Sequence, residues 1–144
     1  MAELLLIVRL AGRRVAFPAS EVEGVVELEG LTPAPGAAPH VAGLSSLRSR
    51  VLTVIDAAAA LELGKTAEGN LACAVVIPSG GHPYALLLDG VEDVVEASGA
   101  CGPVSAPLGP GWDRVALGAI EVGEDVLLFV DPHALIAGTA AIHA

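Results

Sequence analysis

The chain is 144 residues long, 53% apolar and only 3% aromatic, with a formal net charge of −10. That length holds one domain or two small, tightly joined ones, and the apolar content excludes a disordered chain. The charge argues against nucleic acid or an anionic membrane surface as a partner, and no run approaches the ~20 apolar residues of a membrane span.

In chain order, residues 4–10 are an apolar run suited to a strand, Gly12-Arg13-Arg14 makes a turn, and residues 15–17 return. Pro18 cannot donate to a ladder, so this strand ends there or lies at an edge. Residues 20–23 read as a short helical turn or link, 25–28 as a strand and the proline-rich 30–40 as a loop. Apolar runs over 41–47 and 51–55 flank a polar tip, Arg48-Ser49-Arg50, and predict a hairpin. Asp56 before residues 57–63 predicts an N-capped helix that Gly64 ends. After a polar linker over 64–70, residues 71–77 are the strongest buried-strand candidate, and Pro78 to Gly81 turn the chain. Residues 84–88 and 91–95 read as strands around Asp89-Gly90, and the small, uncharged 97–111 as a long loop. A last hairpin, 115–122 and 126–130, closes around Gly123-Glu124-Asp125, and Asp131-Pro132 starts a second capped helix.

The halves match without gaps over two blocks. Residues 12–27 and 81–96 share seven of sixteen positions, and 43–56 and 118–131 share four of fourteen, in the same order of elements. Two similar β units follow, about 12–63 and 81–138, with terminal segments shared between them and a common core. Small antiparallel sheets lose their edges by closing into barrels. Positions the halves share, such as Val25/Val94 and Leu52/Leu127, read as structural. Positions that differ are candidates for function, above all the tip, basic in one half and acidic in the other.

Arg48 and Arg50 read either as solvated hairpin charges or as a contact for an acidic partner surface, which the planar fork of arginine suits. Asp56 and Asp131 sit where helices begin and read as N-caps, not as a catalytic carboxylate pair. Glu23, Glu27, Glu92 and Glu96 read as solvated positions, with Glu27 singled out because it follows Val25-Val26. His40, His82, His133 and His143 are too scattered for a metal site, so no metal is expected. Cys73 and Cys101 stand apart and read as free thiols of a reducing compartment. The short apolar run after Glu3 does not fit a signal sequence. Trp112 either caps the core or docks a partner. No nucleotide-binding, nucleophile or metalloprotease motif occurs, and neither catalysis nor a cofactor is expected.

Val41-Ala42-Gly43-Leu44, through Leu47-Arg48, to Val51–Asp56 resembles the signature hairpin of CheW-like domains. That pattern is a glycine, an apolar stretch ending Leu-Arg-Gly, then apolar residues with a proline, closing on Ile-Asp-Leu. Residues 21–27, 84–96 and 115–135 resemble further family segments in the family's order, so the resemblance covers nearly the whole chain. It implies a mainly β fold: two SH3-like five-stranded β-barrels around a shared core, with short helices after Asp56 and Asp131, as a single domain over 1–144. It also implies a cytoplasmic, non-catalytic adaptor, recruited to membrane receptor arrays. Such an adaptor couples the cytoplasmic tip of chemoreceptors to a CheA-type histidine kinase. Partner contacts would fall on Arg48, Val25, Val26 and Glu27, with Leu47 and Ser49 beside them, and on Val91 and Val94 of the second barrel. Ser49, Thr53 and Ala57 stand where the family pattern has Gly, Pro and Leu. They point to a second reading, an adaptor of a dedicated pathway for surface motility or gene expression. A third is a small-molecule-binding β module with its ligand between the barrels.

Overall fold

The computed structural model describes residues 3–64, 73–99, 101–104 and 108–138. Its first strand, β1 (Leu4–Leu10), sends Leu6, Val8 and Leu10 to one face and Leu5 and Ile7 to the other, and all five are buried. A strand apolar on both faces must lie between packed layers. The further strands are β2 (Arg13–Pro18), β3 (Gly24–Val26), β4 (Val41–Leu47), β5 (Arg50–Asp56), β6 (Ala74–Ser79), β7 (His82–Leu87), β8 (Gly90–Glu96), β9 (Ala116–Val122) and β10 (Asp125–Val130). Three short helices, α1 (Ala57–Ala60), α2 (Pro110–Val115) and α3 (Pro132–Ala137), and a 3-10 turn at Ala19–Glu21 complete the described elements.

Two five-stranded mixed sheets form, in the orders β8-β1-β2-β10-β9 and β3-β6-β7-β5-β4. Each is an SH3-like unit, and each draws strands from both sequence repeats. The opening hairpin of one half is inserted between strands of the other. The insertion is closed by parallel pairing, β2 to β10 and β7 to β5, while the remaining neighbours are antiparallel.

The apolar residues divide accordingly into three clusters. Leu5, Ile7, Ala16, Ile120, Leu127 and Phe129 fill the first sheet's concave side. Leu28, Leu52, Val54, Val76, Ala85 and Leu87 fill the second's. The largest cluster lies between the sheets, where Leu6, Val8, Phe17, Ile55, Ile77 and Leu86 meet Leu61, Trp112 and Leu135 from the helical segments. With few aromatics, these layers rely on interdigitated aliphatic side chains. Trp112 is therefore a core residue, and the Arg13 guanidinium lies 5.2 Å from its ring centroid.

Several boundaries differ from the sequence reading. The strand expected over 25–28 is Gly24–Val26, and Leu28 turns into the barrel instead. The helix expected over 57–63 ends at Ala60. Glu62 takes the left-handed conformation (φ 61°) there, and the Glu62 and Leu63 N–H groups donate back to the Ala59 and Ala58 carbonyls. That is a Schellman closure two residues ahead of Gly64. Within the expected loop 97–111, Gly109-Pro110 starts α2, with proline at a first-turn position that needs no N–H. Pro78 lies inside β6 rather than in the turn, which is Gly80-Gly81. It faces Pro83 one pair in from Ser79–His82, where a two-residue hairpin makes no ladder bonds, so no donor is missed. The start of the 71–77 strand and most of the 64–70 linker lie outside the described residues, as does His143.

The repeat survives at atomic detail. Gly43 and Gly118 carry φ values of 154° and 152°. Each leads a short bridge, Thr32 to Leu44 and Gly102 to Ala119, and a Cβ on either glycine would strike the bridging carbonyl. Gly43→Ala and Gly118→Ala should therefore each destabilise the protein by about 2 kcal/mol or more in urea unfolding, a strain-and-clash effect. Gly30→Ala, at an open position, serves as the unaffected control.

Candidate functional site

The β4–β5 hairpin turns on two residues, Arg48 and Ser49, with φ of 51° and 67°. Paired positive φ values are the primed turn that suits the twist of a hairpin. The same signs occur at Ala11-Gly12 and Gly80-Gly81, each with at least one glycine. Here there is none, and holding non-glycine residues left-handed costs roughly 1–2 kcal/mol each. Arg50 is not part of the tip: it opens β5 opposite Leu47.

Beneath the tip lies an open groove of about 210 Å³. One wall is Glu23, Gly24, Val25 and Val26, and the other is Leu47, Arg48, Arg50 and Leu52. Val26, Leu47, Leu52 and Val76 belong to the barrel's apolar filling, so the groove is the barrel's unclosed seam. Arg50 spans it with a forked contact to Glu23, at 2.6 and 3.4 Å. That hydrogen bond holds the Glu23 carboxyl below the usual glutamate range and the Arg50 guanidinium above its own. Both groups are exposed, so the contact is a guide for side-chain position more than a source of stability.

The other described arginines are also engaged. Arg9 and Arg14 meet Glu92, Arg13 lies over Trp112, and Arg114 donates to the Ala60 carbonyl. Arg48 is the exception: among the described residues it makes no ion pair or hydrogen bond. It is exposed beside Val25, itself 50% exposed.

The pseudo-equivalent seam of the first sheet solves a different charge problem. Its glutamate is the same, Glu92, but Asp125 stands in place of Arg50. Two acids cannot pair, and Arg14 sits between them, 3.0 Å from Glu92 and 3.8 Å from Asp125. Arg9 and Arg14 are cross-strand partners; the repeat puts Pro78 and Pro83 in their places, leaving Glu23 to meet Arg50 directly. That seam is also bridged by the Ser98 N–H, which donates to the Glu121 carbonyl at 2.8 Å.

Of the residues singled out in the sequence, the structure brings Arg48, Leu47, Val25 and Val26 together in the groove. Ser49 is exposed on the tip and Glu27 just past β3. Val91 and Val94 are on β8, in the other sheet: Val91 packs against the central core and Val94 is exposed. Asp56 accepts the Ala58 and Ala59 N–H groups, and Asp131 accepts that of His133. The Glu23–Arg50 contact escaped the sequence reading, which left both as solvated or partner-facing charges. The available signal was that Glu23 recurs as Glu92 while Arg50 reverses to Asp125. Shared identity did not always mean burial either: Val25/Val94 and Val51/Val126 recur, yet all are at least half exposed. Cys73 and Cys101 are free. Among the described residues there is no cluster suited to a metal ion, and no helix long and apolar enough to cross a membrane.

Paired SH3-like units share one core, and the candidate site is a polar-tipped groove at the seam of one of them. The chain belongs to the CheW-like domain family, whose profile matches residues 4–140, a family of non-catalytic scaffolding proteins. Among solved structures it is similar to the scaffolding protein TtCheW from Thermoanaerobacter tengcongensis, with a TM-score of 0.77 at 17% identity over 90% of this chain and 89% of that one. A sequence comparison with curated proteins found no significant match.

Two outcomes follow from the tip and its latch. Ser49→Gly should raise stability by about 1 kcal/mol in urea unfolding, because glycine takes a left-handed turn position without strain. In an NMR titration, the Glu23 carboxyl should lose its proton below the ordinary glutamate range, and Arg50→Ala should return it there. The sign is that of a depressed acid: what the pair adds to stability is present above the unfolded-state pKa and is lost as pH falls through the folded one.

Proposed function

We propose that this scaffold couples chemoreceptors to a CheA-type histidine kinase, with the groove under Arg48 as a partner-docking surface. The observation that carries the reading is Arg48 itself. It is an unpaired, fork-shaped donor, held out on a strained turn at the rim of a groove that Val25, Val26, Leu47 and Leu52 line and the Glu23–Arg50 pair crosses. Docked interfaces draw their affinity from such anchors, arginine prominent among them, set beside apolar contacts. The solved relative TtCheW is described as a scaffolding protein, which agrees with a role in assembly. Val94, on the other sheet, is a candidate for a second contact, so that two partners could be held at once. The groove under Arg48 suits a docked protein surface better than a small molecule, because its volume of about 210 Å³ falls short of the roughly 300 Å³ at which ligand pockets begin.

Arg48→Glu should leave the fold intact and weaken co-sedimentation with receptor–kinase complexes by about 1–3 kcal/mol, or roughly 5- to 150-fold in affinity. Co-sedimentation unchanged by this substitution would sink the assignment of the groove.

A further inference from the structure

The strand that walls the groove, β3, is three residues long and pairs on one side only, with β6. Its position depends on that pairing and on the 3-10 turn Ala19–Glu21 that delivers the chain to it. This turn is where the chain crosses from one sheet to the other, from β2 to β3. At its end, Glu21 Oε2 lies 2.8 Å from His133 Nε2, and the other ring nitrogen, Nδ1, lies 3.2 Å from Ser79 Oγ. His133 is on α3, which continues β10 of the first sheet, while Ser79 closes β6 of the second. One imidazole therefore joins α3, the crossing turn and the strand that holds β3.

We infer that His133 is a proton-sensitive positioning residue for the groove, tightening the tie between the two sheets on acidification. The inference rests on the docking role proposed for the groove. Neutral imidazole offers one N–H and one acceptor, so it satisfies Glu21 and the Ser79 hydroxyl in turn. The imidazolium donates from both nitrogens, and its contact with Glu21 becomes an ion pair. Histidine is the side chain that makes this change between about pH 5 and 8. The groups around it are few. Asp131 caps the helix by accepting the His133 N–H at 3.0 Å. On β6, Ser79 is the only polar side chain, and its cross-strand neighbour His82 contacts Thr53 Oγ1. Helix α1, packed on α3, is all alanine. Of the charged groups on α2, Asp113 accepts from the Leu108 N–H and Arg114 donates to Ala60. At the far end of α3, His40 Nε2 meets the Ile136 carbonyl at 2.7 Å. Glu21 is thus the carboxylate placed to respond. It sits two residues before Glu23, the latch of the groove.

The experiment uses the full chain from pH 8 to 5.5. In amide NMR spectra, the signals of residues 22–26 should move with the same midpoint as the His133 ring, and in Glu21→Gln they should cease to follow it. Affinity for a CheA-type kinase should rise about threefold as the pH falls, the scale of one exposed ion pair. His133→Gln, at a half-buried surface position, should remove that rise. Wild type and His133→Gln with the same pH ratio, alongside a binding loss in Arg48→Glu, would overturn the tie and leave the docking role standing. Absence of any kinase binding would overturn the docking role, and the amide titration would still decide the tie.

Discussion

The exchange of hairpins between the two halves is the constraint on which the rest depends. Neither half owns a complete sheet. β1–β2 finds its neighbours in β8 and β10, and β6–β7 finds its own in β3 and β5. Because each inserted hairpin lies in the middle of a sheet, its strands must be apolar on both faces, one toward the barrel interior and one toward the core between barrels. That is why Leu5 and Leu6, or Val75 and Val76, are adjacent in sequence and buried in different clusters. It also fixes the helices, which cover the central layer where the two exchanged pairs meet.

On this nearly symmetric frame, small differences in charge produce one open seam and one bridged seam. The seam with the acidic tip needs Arg9 and Arg14 to hold Glu92 near Asp125. At the seam with the basic tip, two prolines stand in place of those arginines and Glu23 reaches Arg50 itself. The result is that Arg50 is occupied and Arg48 is not, although the two are two residues apart and chemically identical. Strain points to the same place. Two left-handed non-glycine residues persist at Arg48-Ser49 because the strands on either side are anchored in the barrel, and such strain is characteristic of sites with a task.

Much of this was legible in the sequence because it is written in local patterns. The paired apolar runs, the Asp before each helix and the recurring glycine-led hairpin describe units whose physics is local. The resemblance to CheW-like domains gave the barrels and their scaffolding role. The exchange of hairpins was not visible, because parallel pairing between β2 and β10 leaves no mark in either strand beyond its being apolar. The early end of α1 was missed for a related reason. The approach of α2, where Gly111 lies against the Leu61 carbonyl, outweighs the helical preference of the residues that follow Ala60. In the groove, the valines and Arg48 were legible. The distinction between Arg48 and Arg50 required knowing that Glu23 crosses the seam.

The inserted hairpins also impose an order in time. During synthesis, β1–β2 is made well before the strands that flank it, because its neighbours lie in β8 and β10, at residues 90–96 and 125–130. Until then it carries two bare strand edges and two apolar faces, the features that invite wrong pairing. Sequence-distant pairing of this kind slows folding, so the nascent chain must keep the β1–β2 hairpin from other partners until β10 has been made.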